Sequence, residues 1–103
     1  MKRIFIYILT VLGLTSACSQ QTSENMDVFQ TKSGKNVTFH ALVHASIRIQ
    51  YDGKEIMIDP VTKLGDKTID YATMPKADYI FITHEHFDHF DKVAIAQLSD
   101  TKT

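Results

Sequence analysis

The chain has a single cysteine, little excess of charge of either sign and only 103 residues. A lone thiol cannot close an intramolecular disulfide, which excludes a secreted scaffold stapled by cystines. Eleven lysines and arginines against twelve acids give a formal charge of −1. That balance argues against a nucleic-acid binder that works by net positive charge. The length allows at most one domain, so a multidomain enzyme and a polytopic membrane protein are both excluded. The apolar stretch from Ile4 to Leu14 is eleven residues long and contains Tyr7, Thr10 and Gly13, too little to span a bilayer as a permanent helix. No internal repeat and no long low-complexity tract is present. What remains, 44% hydrophobic and 22% charged residues, is ordinary for a soluble globular protein.

The first residues read as a leader rather than as part of a fold. Met1-Lys2-Arg3 is basic, the apolar stretch follows, and the small residues Thr15-Ser16-Ala17 precede Cys18. This is the layout of a bacterial export signal. Leu14 to Cys18 resembles a lipobox: Ala17 and Ser16 fit, while Thr15 stands where Leu is preferred and Leu14 comes one position early. The resemblance implies lipid modification at Cys18 and removal of residues 1–17, leaving 86 residues of formal charge −3 once Lys2 and Arg3 are gone. The expected location is the bacterial cell envelope, as a lipid-anchored periplasmic or outer-membrane lipoprotein. Each buried acyl methylene contributes ~0.8 kcal/mol, so several chains hold a small domain at a membrane. The plainer reading is a cleaved signal peptide that a cysteine happens to follow. Residues 18–36 are mostly polar, with Met26, Val28 and Phe29 the sizeable apolar groups. They read as a flexible tether, although Met26–Gln30 also suits a short edge strand that begins the fold.

From Val37 the pattern has a period of two. Val37, Phe39, Ala41 and Val43 alternate with Thr38, His40, Leu42 and His44, and Ile47, Ile49 and Tyr51 alternate with Ser46, Arg48 and Gln50. Half-buried strands have this signature. Asp52-Gly53 predicts a hairpin, and a third strand over 55–59 stops at Pro60, which has no N–H for a ladder. Residues 60–77 read as a loop with a short turn or helix. Tyr79-Ile80-Phe81-Ile82 is continuously apolar, which predicts a strand buried on both faces. Asp91–Leu98 reads as a short helix with Asp91 at its amino end and Val93, Ala94, Ala96 and Leu98 on its buried side.

Between that strand and that helix lies Thr83-His84-Glu85-His86-Phe87-Asp88-His89-Phe90-Asp91, which holds three of the five histidines. His84 and His86 are two apart and share a side of extended backbone. Neutral imidazoles suit zinc and other borderline metals. Asp88 and His89 follow where the chain must turn, so they can project differently. Four donors this close in sequence surround a single ion poorly, but they can supply half of each of two neighbouring sites. Two metals roughly 3.5–4 Å apart can activate a shared water and clamp developing charge. Position favours this too, since ligands of open α/β sheets gather at the carboxyl ends of strands.

This segment resembles the signature of the metallo-β-lactamase-fold hydrolase superfamily. His44-Ala45-Ser46-Ile47-Arg48-Ile49 and Gly53-Lys54-Glu55-Ile56-Met57-Ile58-Asp59-Pro60 are similar to the branch that includes ascorbate-6-phosphate lactonase-like and related metal-dependent hydrolases. The resemblance covers residues 37–100. It implies the amino-terminal part of an αββα sandwich: antiparallel strands, then a buried strand, a metal-ligand loop and a short helix. It also implies two divalent metal ions, with zinc the default and manganese or iron as alternatives. His84 and His86 then match ligands of the first metal, and Asp88 and His89 those of the second. Asp88 also takes the catalytic role of orienting the water, and Asp59 supports the site without binding metal. The expected activity is hydrolysis of a small-molecule ester, lactone, amide or phosphoester. The family carries a further histidine, a bridging aspartate and another histidine downstream, whereas no histidine follows His89 here. The expectation is therefore a partial domain over residues 37–103, from a fragment or a shortened reading frame, and inactive alone. The alternative is a non-catalytic envelope lipoprotein with a weak metal-binding half-site.

Other residues have plainer readings. His40 and His44 share the outer face of one strand and read as surface or hydrogen-bonded histidines, His44 with a slight claim to the site mouth. Glu85 is expected in solvent and Phe87 beneath the loop. Tyr51, Tyr71, Tyr79, Met57 and Met74 read as core or sheet-surface groups. The scattered lysines form no patch suggesting a nucleic-acid partner.

Overall fold

The computed structural model describes residues 25–103. The leader, Cys18 and the first part of the tether lie outside the described residues. Strands β1 (Met26–Gln30), β2 (Asn36–Ala41), β3 (Ile47–Tyr51) and β4 (Lys54–Ile58) form an antiparallel meander. Two short strands follow, β5 (Lys63–Leu64) and β6 (Lys67–Thr68), paired as a hairpin of their own. A 3-10 turn at Tyr71–Thr73 then leads to β7 (Tyr79–Phe81) and the helix α1 (Lys92–Leu98). β7 pairs parallel to β4, giving a five-stranded mixed sheet in the order β1-β2-β3-β4-β7.

The fold begins earlier than the polarity of residues 18–36 suggests. Val28 and Phe29 stay largely exposed, but β1 pairs along its whole length with β2, and Phe29 meets Phe39 edge-on at 5.8 Å. The Asp52-Gly53 turn has φ of +50° and +75°, the pair of left-handed residues that a tight hairpin with right-twisted strands requires. Period two also sets the faces. His40, Arg48, Met57 and Ile80 lie in one cross-strand row, and Phe39, Ile49, Ile56 and Tyr79 in the next, which points the other way.

Only the first face carries a second layer among the described residues. Met57 is buried there with Tyr71, Ala77, Ala94 and Leu98, and Leu42, Ile69, Met74 and Ile80 pack around them. The opposite face is apolar and half open. Tyr79 and Phe81 are 52% and 56% exposed. The expected burial of this strand on both faces is therefore corrected: β7 is the last strand of the described sheet, and no described residue covers its outer side. On α1 the buried side is Ala94 and Leu98, while Val93 and Ala96 face solvent. Seven residues make barely two turns, and the i, i+4 pair is what such a helix can press onto a sheet.

Asp91 caps α1 as its position suggests and also ties the helix to the crossover. One oxygen accepts from Val93 N–H (2.9 Å) and Ala94 N–H (3.3 Å), and the other from the Thr62 N–H (2.7 Å) and hydroxyl (2.6 Å).

Candidate metal centre

Three segments converge at the end of the sheet where β4 and β7 finish. The first follows β2. That strand stops at Ala41, short of the predicted run to His44, and the chain turns. Leu42 N–H donates to the Ser46 carbonyl and Ser46 N–H to that of Val43, at 2.9 and 2.8 Å. His44 adopts φ +54° in this turn, leaving the strand's alternation and swinging toward the sheet end. The buried Ser46 hydroxyl donates to the Asp59 carbonyl at 2.6 Å and accepts from Val61 N–H at 3.3 Å. It locks the turn to the end of β4.

The second segment is Asp59, 1% exposed and at φ +46°. Its Oδ1 accepts from Thr83 N–H at 2.7 Å, and its Oδ2 from the Thr83 hydroxyl at 2.7 Å and His89 Nδ1 at 2.8 Å. Burial pushes this carboxyl up, but the bonds from His89 and Thr83 outweigh it and hold the group below the ordinary carboxylate value.

The third segment is the histidine-rich loop. His89 N–H and Phe90 N–H both reach back to the His86 carbonyl, at 2.9 and 2.8 Å, the turn needed to bring Asp88 and His89 around. The His84 ring lies 4.6 Å from that of His86 and 4.0 Å from that of His89.

This network fixes which ring nitrogens are free. An ionised carboxylate only accepts, so His89 presents Nδ1–H to Asp59 and keeps a lone pair on Nε2. The Thr83 hydroxyl gives its proton to Asp59 and meets His84 Nδ1 at 2.9 Å as an acceptor, leaving His84 Nε2 free too. Metal-binding imidazoles usually have their second N–H held in this way. The donor set fits a divalent metal. His84, His86 and Asp88 offer atoms that all lie within 4.8 Å of one another, and so do His44, Asp88 and His89.

The structure thus gathers His84, His86, Asp88, His89 and Asp59 at one place. It adds His44, whose Nε2 is 3.2 Å from Asp88 Oδ2 and whose ring meets that of His89 at 5.0 Å. His40 stays out of it, bonded to Gln50 at 2.8 Å on the sheet face. Phe87 does not pack beneath the loop as expected. It is 82% exposed, and the turn around it is closed by backbone hydrogen bonds to the His86 carbonyl. Ser46 and Thr83 were not singled out in the sequence, although Thr83 adjoins His84 and Ser46 lies two residues after His44. An open cleft of about 470 Å³ begins at His44 and runs between residues 41–43 and Leu64, Asp66 and Lys67, to one side of the histidine loop.

The parallel strand pair thus ends in a histidine-aspartate loop braced by a buried aspartate, an arrangement able to hold divalent metal. Residues 36–101 match the beta-lactamase superfamily domain, and the chain belongs to that family. Among curated proteins, a UPF0173 protein of Pyrococcus abyssi is 43% identical over 60 residues, 57% of this chain and 26% of its own length. A UPF0173 metal-dependent hydrolase of Geobacillus thermodenitrificans is 43% identical over 63 residues, 59% of this chain and 26% of that one. A crystal structure from Parabacteroides distasonis, designated a metal-dependent hydrolase, superposes with a TM-score of 0.71 at 45% identity, covering 76% of this chain and 34% of the other. The chain thus spans about a quarter of the length of the curated relatives it matches.

Proposed function

We propose that this chain contributes the first metal ligands of a hydrolase with a dinuclear, zinc-type centre. His84 and His86 hold one ion, Asp88 and His89 hold the other, and Asp59 orients the ligands from behind. The observation that carries this reading is the Asp59–Thr83 brace, which occupies Nδ1 of both His84 and His89 and leaves their Nε2 atoms free. Divalent ions at such a site supply Lewis acidity and lower the pKa of water toward neutrality. The residues' own part is to fix the donors before substrate arrives, so little reorganisation is needed during reaction. Asp88, less buried than His89, also orients the attacking water. The substrate proposed is a small molecule with an ester, lactone, amide or phosphoester centre, and the activity belongs to the family-length protein.

The test is hydrolysis of a panel of such substrates by the family-length protein, together with its elemental analysis. We expect stoichiometric metal, and loss of both metal and turnover in His86→Ala. A metal-free protein, or a His86→Ala variant with an unchanged rate, overturns the proposal. Lipid attachment at Cys18 completes it by placing the protein at the cell envelope. Labelling with radioactive palmitate should mark the wild type and not Cys18→Ala, and label on both or on neither refutes the anchor.

A further inference from the structure

We propose that His44 is a metal ligand, completing a three-donor site with Asp88 and His89. The inference rests on the metal-centre reading above and extends it to a residue outside the histidine-rich loop. Three observations carry it.

The first is spacing. His44 Nε2 lies 3.2 Å from Asp88 Oδ2, and His89 Nε2 lies 3.7 Å from Asp88 Oδ1. Ligand atoms around a tetrahedral ion with bonds of 2.0–2.1 Å stand about 3.3 Å apart. One donor atom from each of His44, Asp88 and His89 lies within 4.8 Å of the other two, so small movements of the side chains bring all three around a single ion.

The second is the backbone. His44 takes a left-handed conformation, uncommon for a residue with a Cβ, and such strain gathers at functional sites. The turn from Leu42 to Ser46 imposes it, and the Ser46 hydroxyl fastens that turn to Asp59. An ordinary strand residue at this position would point along the sheet face, as His40 does. The left-handed turn instead carries the imidazole over the edge, ring against ring with His89 at 5.0 Å.

The third is the division of donors. His84, His86 and Asp88 form one group and His44, Asp88 and His89 another, with Asp88 common to both. A carboxylate has two oxygens and can serve both groups at once. With His44 counted, each group has two imidazoles and a shared carboxylate, so neither is left with a single pair of ligands.

Cobalt(II) titration of the full chain, followed by its visible absorption, tests this. The wild type should take up two ions. His44→Phe keeps an aromatic ring beside His89 but has no donor atom. His44→Gln keeps a side-chain N–H at similar reach but no imidazole. If His44 is a ligand, both variants lose the second ion or bind it more than about tenfold more weakly. If the glutamine variant keeps wild-type uptake, His44 is only a hydrogen-bond donor and the proposal is wrong. Unchanged uptake in both variants also overturns it, as does a wild type that takes one ion. A wild type that takes none overturns the metal-centre reading and this inference with it. Should either variant lose its fold by circular dichroism, long-range proton–nitrogen spectra of the wild-type histidines on addition of zinc decide the matter. A large shift of His44 Nε2 supports ligation, and an unmoved resonance refutes it.

Discussion

Replacing Asp91 with alanine should destabilise the fold while leaving every proposed metal ligand in place. Its carboxylate accepts four hydrogen bonds, two from the first turn of α1 and two from Thr62. Losing the cap costs about 1 kcal/mol. Each bond from Thr62 to a charged acceptor adds about 1.5 kcal/mol at the lower end of the range, less what the half-buried hydroxyl recovers from water. The sum is about 2–4 kcal/mol, a large share of the 5–15 kcal/mol expected of a small domain. Urea unfolding followed by far-ultraviolet circular dichroism measures it. Asp91→Asn keeps a capping oxygen without the charge, and should fall between the wild type and alanine.

The same contacts give the effect a pH signature. Burial pushes the Asp91 carboxyl up, but Thr62 and the helix amides outweigh it and leave it below its ordinary value. A carboxyl depressed in the folded state contributes stability in full above its unfolded pKa of about 3.9, and that stability is lost as pH falls through the folded value. The difference between wild type and Asp91→Ala should therefore be constant near neutrality and shrink below about pH 4. A variant within about 0.5 kcal/mol of wild type at pH 7, or a difference that does not shrink in acid, refutes the reasoning.

Three further outcomes are expected. Asp59→Ala strips the partner from Thr83 N–H and His89 Nδ1, and should weaken metal binding by about 10–100-fold in a zinc competition titration; unchanged affinity would show that the brace does not orient the ligands. Gly53→Ala meets no atom within 4 Å but stands at φ +75°, so it should cost about 1 kcal/mol in the same urea assay, from backbone strain alone. Chelation of bound metal should lower the thermal midpoint, and excess zinc should restore it in proportion to the logarithm of its concentration; a midpoint insensitive to both would mean that the folded chain binds no ion.

The strands were legible because alternation is local. Val37 to Tyr51 shows its period in the sequence, and Asp52-Gly53 names its own turn. The histidine loop was legible for the same reason: its donors are neighbours, whereas Asp59 was named only through the family resemblance. What was not legible depends on distance along the chain. His44 counted as a strand residue because nothing local announces the turn after Ala41. The turn is closed by Ser46, and Ser46 is fastened by Asp59, thirteen residues away. The exposed side of Tyr79 and Phe81 was unreadable for a related reason: a continuous apolar run records a strand's composition but not which layers lie against it.

The brace between Asp59 and the histidine loop has a consequence for how the molecule assembles. β1 to β4 are joined by short turns and can form early, since closing small loops costs little entropy. Asp59 sits at the end of that early unit, while its partners Thr83 and His89 are 24 and 30 residues further on. They arrive only when β7 docks alongside β4, where Asp59 N–H donates to the Phe81 carbonyl at 2.9 Å. The donor cluster is thus completed by the least local pairing in the described sheet. In a refolding time course, tight metal uptake would then mark the moment at which β7 joins.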